Sequence, residues 1–187
     1  MHGVEFAPLE RQHGSQVLAL LRGTLLVPLP RLHQRLEEAY ERDARLGLAQ
    51  VALCRLAGNA EKVVGVLLAR VATRRTCCAQ VYIDAVAVDA VFQGQGIGSR
   101  LLLRVLTPCL PDGLEVREVF LHTPLQATEL VAFYRSCGFE SDDEVIDNYY
   151  PRRWMPQAQA LVLRWRPPTA AQHQHEERKG PQDADVS

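Results

Sequence analysis

The sequence has little net charge and no long apolar run, and each absence excludes a class of protein. Its 187 residues contain 21 Lys and Arg against 22 Asp and Glu, which gives a formal net charge of −1 at pH 7. Proteins that bind nucleic acid generally carry a strongly basic surface, which this balance does not supply. No apolar run approaches the roughly 20 residues of a membrane-spanning helix. We therefore expect no nucleic acid and no membrane among the partners of this chain.

The cysteines also lack the spacing of a metal or redox site. There are five of them, at positions Cys54, Cys77, Cys78, Cys109 and Cys137, and no two form a Cys-x-x-Cys motif. None stands at metal-ligand spacing from a histidine, so we expect reduced, mostly buried thiols and no metal. The first residues lack the charged and apolar segments of a signal peptide. These features predict a cytoplasmic protein, with the nucleus as the alternative compartment.

Length and composition predict one domain followed by a tail. Hydrophobic residues make up 47% of the sequence, which is enough for one well-filled core. From Pro167 onward apolar residues become rare, and Gln, His and charged residues dominate, as is typical of disordered chains. We therefore expect a folded domain over residues 1–166 and a disordered tail over residues 167–187.

The apolar pattern predicts an α/β domain of mixed type. Helical periodicity predicts four helices, at residues 15–22, at 31–46, from 98 to near Pro108, and at 128–137. Apolar segments between turn signals predict strands at residues 4–6, 49–56, 62–72, 77–88, 115–123 and 157–166. Short turns join the second, third and fourth strands, which predicts an antiparallel meander. We expect the charged face of the second helix to be solvated, and residues 142–144 to form a solvated acidic turn.

A glycine-rich loop follows the fourth strand and precedes the third helix. Its sequence is Gln93-Gly94-Gln95-Gly96-Ile97-Gly98. Glycines remove the Cβ atoms that would keep a phosphate from the backbone, and the helix adds its free N–H groups and the positive end of its dipole. The spacing is neither the dinucleotide fingerprint nor a Walker loop, which ends in Gly-Lys-Ser/Thr. The loop alone fits either a tight turn or a pyrophosphate site.

Two motifs together resemble a known family. The loop resembles Gln-x-x-Gly-x-Gly, the acetyl-CoA signature of GCN5-related N-acetyltransferases (the GNAT family), and the segment Phe133-Tyr134-Arg135-Ser136-Cys137-Gly138-Phe139 after the fifth strand is similar to a second motif of that family. The resemblance implies the GNAT fold, a mostly antiparallel mixed sheet of six to seven strands flanked by about four helices. It implies acetyl-CoA as cosubstrate, with no metal. The residues that would hold acetyl-CoA are Val86, Ala87, Val88, Gln93, Gly94, Gln95, Gly96, Ile97, Gly98, Ser99 and Tyr134.

Within the family, three segments look like the San or NatE type of protein N-terminal acetyltransferase. They are Val81-Tyr82-Ile83, Phe120-Leu121-His122 and Asn148-Tyr149-Tyr150. The resemblance implies that Tyr82 and His122 flank the peptide amine and that Tyr134 approaches the sulfur of CoA. It also implies that two loops, Val27-Pro28-Leu29 and Tyr149-Tyr150, hold the first residues of the substrate. Asp84 stands where an apolar residue would line the pocket for the first side chain.

The implied reaction is acetyl transfer from acetyl-CoA to the free α-amino group of protein or peptide N termini, by direct attack in a ternary complex. A Met followed by an apolar residue is the expected start of the substrate, and an auxiliary ribosome-associated subunit is a candidate partner. An α-amine, with a pKa of about 7.7 to 8.0 against about 10.4 for lysine, needs only a modest base such as His122. Tyr82 would position a water or share the proton, and Tyr134 would serve the departing thiolate.

Two other functions fit the same residues. Asp84 favours a basic first group, which would make the protein a lysine or small-amine N-acetyltransferase. A non-catalytic adaptor that binds acyl-CoA within a larger complex is the alternative of another class.

Overall fold

The structure is a computed structural model that describes residues 3–25, 31–56, 60–75, 78–106, 110, 114–153 and 158–168. The predicted substrate loop Val27-Pro28-Leu29 and nearly all of the predicted tail lie outside these residues, and so do Cys77 and Cys109. Within the described ranges, no helix is both long and apolar enough to cross a membrane.

The described residues form a seven-stranded sheet in the order β1-β2-β3-β4-β5-β7-β6. Every neighbouring pair is antiparallel except β4 and β5, which are parallel. This confirms the predicted α/β class and the mostly antiparallel mixed sheet. The strands are β1 (Val4–Pro8), β2 (Ala49–Arg55), β3 (Glu61–Arg74), β4 (Cys78–Val88), β5 (Glu115–Pro124), β6 (Glu140–Ile146) and β7 (Ala160–Trp165).

In the part of the chain that the structure describes, four α-helices cover the two faces of the sheet, so that a separate apolar core forms on each side. They are α1 (Gly14–Thr24), α2 (Leu32–Glu38), α3 (Ile97–Leu106) and α4 (Thr128–Ser136). One core joins α3 and α4 to the sheet through residues such as Leu101 and Val131, and the other joins α1 and α2 to it through residues such as Val17 and Leu36. Strand β3 contributes alternate residues to both cores, as a strand buried on both faces does.

The second predicted helix, 31–46, is not one regular α-helix. After α2 the chain makes a wider π-helical turn over Ala39–Asp43 and a 3-10 turn over Ala44–Leu46. The expectation that its whole charged face is solvated is wrong, because the side chains of Arg35 and Asp43 are only 7% and 0% exposed. They are buried as an ion pair, with Nη1 of Arg35 donating to Asp43 over 2.6 Å. Pairing offsets the cost of removing the two charges from water.

The acidic segment 142–144, predicted as a solvated turn, is part of β6 instead, although the side chains of Asp142 and Glu144 are exposed at 43% and 50%. Asp142 and Glu144 are ion-paired with Arg164 on the adjacent strand β7, at 2.9 Å and 2.7 Å. Opposite charges on neighbouring strands offset the low strand propensity of the acidic residues. The sequence prediction therefore lacks this one strand.

The two parallel strands β4 and β5 separate partway along their length. Their register pairs Cys78 with Glu115 and ends where Tyr82 pairs with Phe120. Beyond that point β4 pairs with β3 and β5 pairs with β7, but they do not pair with each other. The sheet therefore opens between Ile83–Val88 and Leu121–Pro124, and the open space lies next to the glycine-rich loop.

Helix α3 packs on the sheet over Gly65, where there is no room for a side chain. A Cβ placed there would lie 3.1 Å from Cγ2 of Ile97 and 3.2 Å from both Cβ of Ala52 and Cδ1 of Leu101. We expect Gly65→Val to lower the free energy of unfolding by about 2 kcal/mol, because overpacking a full core typically costs that much. Urea unfolding measures this loss. Gly23→Val is the matched control, since nothing lies within 4 Å of an added Cβ at Gly23. A loss of equal size in both variants would contradict the packing explanation.

Candidate active site

The separation of β4 and β5 forms a cavity of about 860 Å³. It is lined by the diverging strands, the glycine-rich loop, the side of α4 and the segment between β6 and β7. Most residues predicted for the site lie around it, namely Tyr82, Asp84, Val86, Ala87, Val88, Gln93, Gly94, Gly96, Ile97, Gly98, Ser99, His122, Tyr134, Tyr149 and Tyr150. Gln95 is not among the lining residues, and its side chain donates to the backbone oxygen of Val91 at 3.4 Å.

The glycine-rich loop leaves open space where side chains would be. Gly94 and Gly96 have φ angles of 73° and 75°, in the left-handed region that favours glycine. Nothing lies within 4 Å of a Cβ added at either position. Gln93 fixes the loop to the end of β4, because its Nε2 donates to the backbone oxygen of Val88 at 3.0 Å. Helix α3 begins at Ile97, and its first residues line the same cavity, where the free N–H groups of a first helical turn suit an anion such as a phosphate.

Gly98 serves a different purpose from the two glycines before it. An added Cβ there would lie 3.0 Å from Cζ of Phe133. The contact joins the first turn of α3 to α4, which carries Phe133 and Tyr134 into the wall of the cavity.

Among the strands that the structure describes, none pairs with the cavity-side edge of β4 beyond Tyr82. Residues Ile83–Val88 pair with β3 alone, so the backbone groups on their other edge face the cavity. Unpaired strand N–H groups hydrogen-bond an extended ligand in the way that a neighbouring strand would. An elongated molecule with amide groups fits this edge.

Three polar aromatic side chains meet at the point where the strands separate. The hydroxyl of Tyr82 lies 3.2 Å from Nδ1 of His122 and 3.4 Å from the hydroxyl of Tyr149. The rings of His122 and Tyr149 are stacked, with centroids 4.5 Å apart and an interplanar angle of 19°. His122 is two residues beyond Phe120, the register partner of Tyr82, so the parallel pairing of β4 and β5 places it on the same face as Tyr82.

Burial sets the protonation of this group. It lowers the pKa of His122 from its usual value, and Arg164 lowers it further, while Glu144 acts in the opposite direction. Burial and the hydrogen bond to Tyr149 raise the pKa of Tyr82. At neutral pH the imidazole is therefore neutral and able to accept a proton, and the phenol keeps its proton.

Tyr134 enters the cavity from α4. It packs against Phe133 and Phe139, with centroid separations of 5.2 Å and 5.7 Å. Its burial raises the pKa of the hydroxyl, so it remains protonated at neutral pH. The cavity thus has a neutral imidazole from β5 and, from α4, a phenol that can donate a hydrogen bond.

Asp84 is the extra residue of a β-bulge in β4. Strand β3 pairs Leu68 with Ala85 and Ala69 with Ile83, so Asp84 has no partner in the register. Its carboxylate accepts a hydrogen bond from Nε of Arg35 at 2.6 Å and another from Nε of Arg70 at 3.1 Å. The carboxylate at the cavity wall is therefore an ion-paired group.

Sequence reasoning missed both of these arginines. The signal was Asp84 itself, since a carboxylate in an otherwise apolar buried strand requires a partner. The sequence does not say which of its 21 Lys and Arg residues supply it. It also missed lining residues from neighbouring elements, including Thr24, Phe92, Glu129 and Leu130.

Among the described residues, no group of three or more His, Cys, Asp or Glu side chains is arranged to hold a metal ion. Cys137 lies near the cavity, with Sγ 3.6 Å from Oγ of Ser99.

Comparison with known proteins finds one family and many similar folds. The profile of the acetyltransferase (GNAT) family matches residues 15–139, which is more than half of the chain. No curated protein matches the sequence.

Three solved structures illustrate the similarity of fold. Arabidopsis thaliana Naa50 in complex with the bisubstrate analogue CoA-Ac-MVNAL is 22% identical, with a TM-score of 0.67 over 86% of this chain and 97% of that one. Arabidopsis thaliana NAA60 in complex with acetyl-CoA is 15% identical, with a TM-score of 0.70 over 88% and 100%. The ribosomal-protein-S18-alanine N-acetyltransferase from Escherichia coli is 16% identical, with a TM-score of 0.64 over 90% and 96%. At identities this low, the similarity of the structures shows a shared fold and no more.

The charges around His122 predict how its pKa responds to substitution. We expect the wild-type pKa to lie below its usual value of about 6.5. Glu144→Gln should lower it further, because it removes the charge that stabilises the imidazolium. Asp142→Asn is the control, since Asp142 also pairs with Arg164 but does not act on His122. NMR titration of the imidazole measures all three values, and a rise in Glu144→Gln would contradict this assignment.

Proposed function

The chain belongs to the acetyltransferase (GNAT) family and is an acetyl-CoA-dependent N-acetyltransferase, and we propose that its acceptor is the free α-amino group of a protein or peptide N terminus. The observation that carries the proposal is the group formed by Tyr82, His122 and Tyr149 at the opening between β4 and β5. It provides a neutral base and two phenol hydroxyls beside a cavity of suitable size.

The cavity fits acetyl-CoA in shape and in chemistry. The open space over Gly94 and Gly96, beside the start of α3, suits the pyrophosphate. The unpaired edge of β4, including Val86, Ala87 and Val88, suits the amide groups of the pantetheine arm and would polarise the acetyl carbonyl. When bound, acetyl-CoA supplies an activated thioester.

The residues around the acceptor suit an α-amine more than a lysine. The amine must lose a proton to attack, and the pKa of an α-amine is about 7.7 to 8.0, against about 10.4 for lysine. A histidine whose pKa is lowered by burial is a weak base, and it is adequate only for the less basic amine. We propose that Nε2 of His122 accepts this proton, directly or through one water, and that Tyr82 orients the ring by accepting a hydrogen bond from Nδ1–H.

Tyr134 is proposed to stabilise the leaving thiolate. As the C–N bond forms and the C–S bond breaks, the sulfur gains negative charge. The phenol of Tyr134, which lines the cavity from α4, would donate a hydrogen bond to the sulfur and keep its own proton. The proton that His122 accepts from the amine balances the one that the released thiolate takes up.

The first residues of the substrate are proposed to lie against Tyr149 and Tyr150, whose rings line the cavity. A start of Met followed by an apolar residue stays a prediction from the family resemblance. It is consistent with the analogue on Naa50, whose peptide begins with Met and Val. The roles of Val27-Pro28-Leu29 and of an auxiliary ribosome-associated subunit stay predictions as well.

The acceptor is identified by acetyl transfer to a peptide panel. Each peptide has a free or a blocked N terminus and contains or lacks lysine. We expect turnover only with the free N terminus. Turnover that requires lysine and persists when the N terminus is blocked would instead indicate a lysine acetyltransferase. Binding of acetyl-CoA without turnover of any peptide would indicate a small-molecule acceptor or a non-catalytic adaptor that binds acyl-CoA.

His122→Ala should lower kcat about a hundredfold or more, since general-base catalysis typically contributes at least that factor. Acetyl-CoA binding should stay within about threefold of wild type, because His122 faces the acceptor. Steady-state kinetics and calorimetric titration measure the two quantities. Near-wild-type kcat in this variant would exclude His122 from the reaction.

Gly96→Ala should raise the dissociation constant of acetyl-CoA about tenfold, because its Cβ enters the space proposed for the pyrophosphate. Gly47→Ala is the matched control. Gly47 has a φ of 73°, close to the 75° of Gly96, but it does not line the cavity. Both variants therefore carry similar backbone strain. Equal affinities in the two would contradict the proposed position of the pyrophosphate.

A further inference from the structure

We propose that the ion pairs of Asp84 with Arg35 and Arg70 make the acceptor side of the cavity electrically neutral, so that the enzyme selects acceptors whose side chain beside the reacting amine is uncharged. The inference rests on the proposed function, because it names the substrate class of the same site. Neither arginine was identified from the sequence.

Asp84 lies close to the proposed acceptor. It lines the same cavity as Tyr82 and His122 and follows Tyr82 by two residues on β4. Residues two apart in a strand share a face, so the side chain of Asp84 lies on the sheet face of Tyr82, on the side of α1 and α2. A substrate side chain next to an amine at Tyr82 therefore meets the Asp84 carboxylate.

Arg35 fixes one oxygen of this carboxylate from the protein interior. Its Nε donates to Asp84 at 2.6 Å, its Nη1 to Asp43 at 2.6 Å and its Nη2 to the backbone oxygen of Ala69 at 2.7 Å. Ala69 adjoins the bulge in the register of β3 and β4. All three guanidinium nitrogens are thus bonded, so rotating Arg35 away from Asp84 would break bonds to three elements at once.

Arg70 holds the other oxygen and extends the network to the Tyr82 ring. Its Nε donates to Oδ1 of Asp84 at 3.1 Å, and its guanidinium carbon lies 5.0 Å from the centroid of the Tyr82 ring. The side chain is 39% exposed, whereas that of Asp84 is 7% exposed. Arg70 therefore covers the carboxylate from the solvent side and stacks on the residue that is proposed to orient the base.

The four groups of this network balance in charge. Arg35 and Arg70 carry two positive charges, and Asp43 and Asp84 carry two negative charges. Arg42 also pairs with Asp43, at 3.0 Å from Oδ1, but its side chain is 58% exposed, so water screens its charge. A charged acceptor side chain would lose water beside Asp84 without gaining an unpaired countercharge, which is unfavourable. An uncharged side chain avoids this cost.

Two substitutions test the proposal because they change the local charge in opposite directions. Asp84→Asn leaves the arginines in excess and should raise kcat/KM for Glu-first over Lys-first peptides about tenfold relative to wild type. Arg70→Gln leaves Asp84 in excess and should shift the same ratio about tenfold toward Lys-first peptides. Because the ratio compares two peptides on one enzyme, it cancels a general loss of activity.

Two further variants serve as controls. Arg70→Lys keeps the charge and should give a ratio near wild type. Arg42→Gln removes one positive charge from the far end of the network, without a bond to Asp84, and should shift the ratio by less than about threefold. Thermal unfolding shows whether each variant is folded. If Asp84→Asn does not fold, Arg70→Gln, at the partly exposed position, decides the outcome.

The proposal is overturned if Arg70→Gln moves the ratio toward Glu-first peptides or leaves it within twofold of wild type. If the acceptor proves to be a lysine or a small amine, the proposed function fails. The charge proposal is then tested by comparing kcat/KM for acceptors that carry an acidic group beside the reacting amine with kcat/KM for those that carry a basic one.

Discussion

The separation of β4 and β5 after Tyr82 and Phe120 is the constraint on which the site depends. Paired strands would satisfy their own backbone groups and leave nothing for a ligand. Because the strands diverge, one edge of β4 and the start of α3 are free at the same place, and α4 closes the far wall. The strands begin to diverge just after Tyr82 on β4 and just before His122 on β5. The strand pairing therefore places the proposed base next to the edge of β4 that is proposed to bind acetyl-CoA.

A second constraint is the buried carboxylate of Asp84, in the cavity wall near the proposed acceptor. Burying a carboxylate is costly, and the fold offsets that cost by joining Asp43 and Asp84 through one buried guanidinium. The irregular turn Ala39–Asp43 brings Asp43 to Arg35, eight residues earlier in the sequence. The departure from regular helix and the bulge in β4 thus serve one polar network, which stabilises the wall of the cavity.

How much of this could be predicted differs from element to element. The glycine-rich loop is a local pattern, and its backbone requirement can be derived from the glycines alone. Tyr82, His122 and Tyr134 are far apart in the sequence, and only the resemblance to a family assigns them to one cavity. The partners of Asp84 were beyond prediction, because pairing across 49 residues, as between Arg35 and Asp84, depends on tertiary structure. Strand β6 was missed because its acidic residues are stabilised by arginines on β7, which local propensity does not register.

The edges of the sheet bear on how the protein behaves in a crowded solution. An outermost strand presents a free row of backbone groups to which a strand of another molecule can add. The outer strand β6 carries carboxylates that are held by Arg164 and Arg166, and the opposite outer strand β1 is only five residues long and ends at Pro8. The charges fixed on β6 disfavour the addition of another strand at that edge. At the other edge, β1 is short and ends at a proline, which has no N–H to donate, so addition is disfavoured there as well. The molecule can thus keep one sheet edge open for a ligand inside while its outer edges resist aggregation.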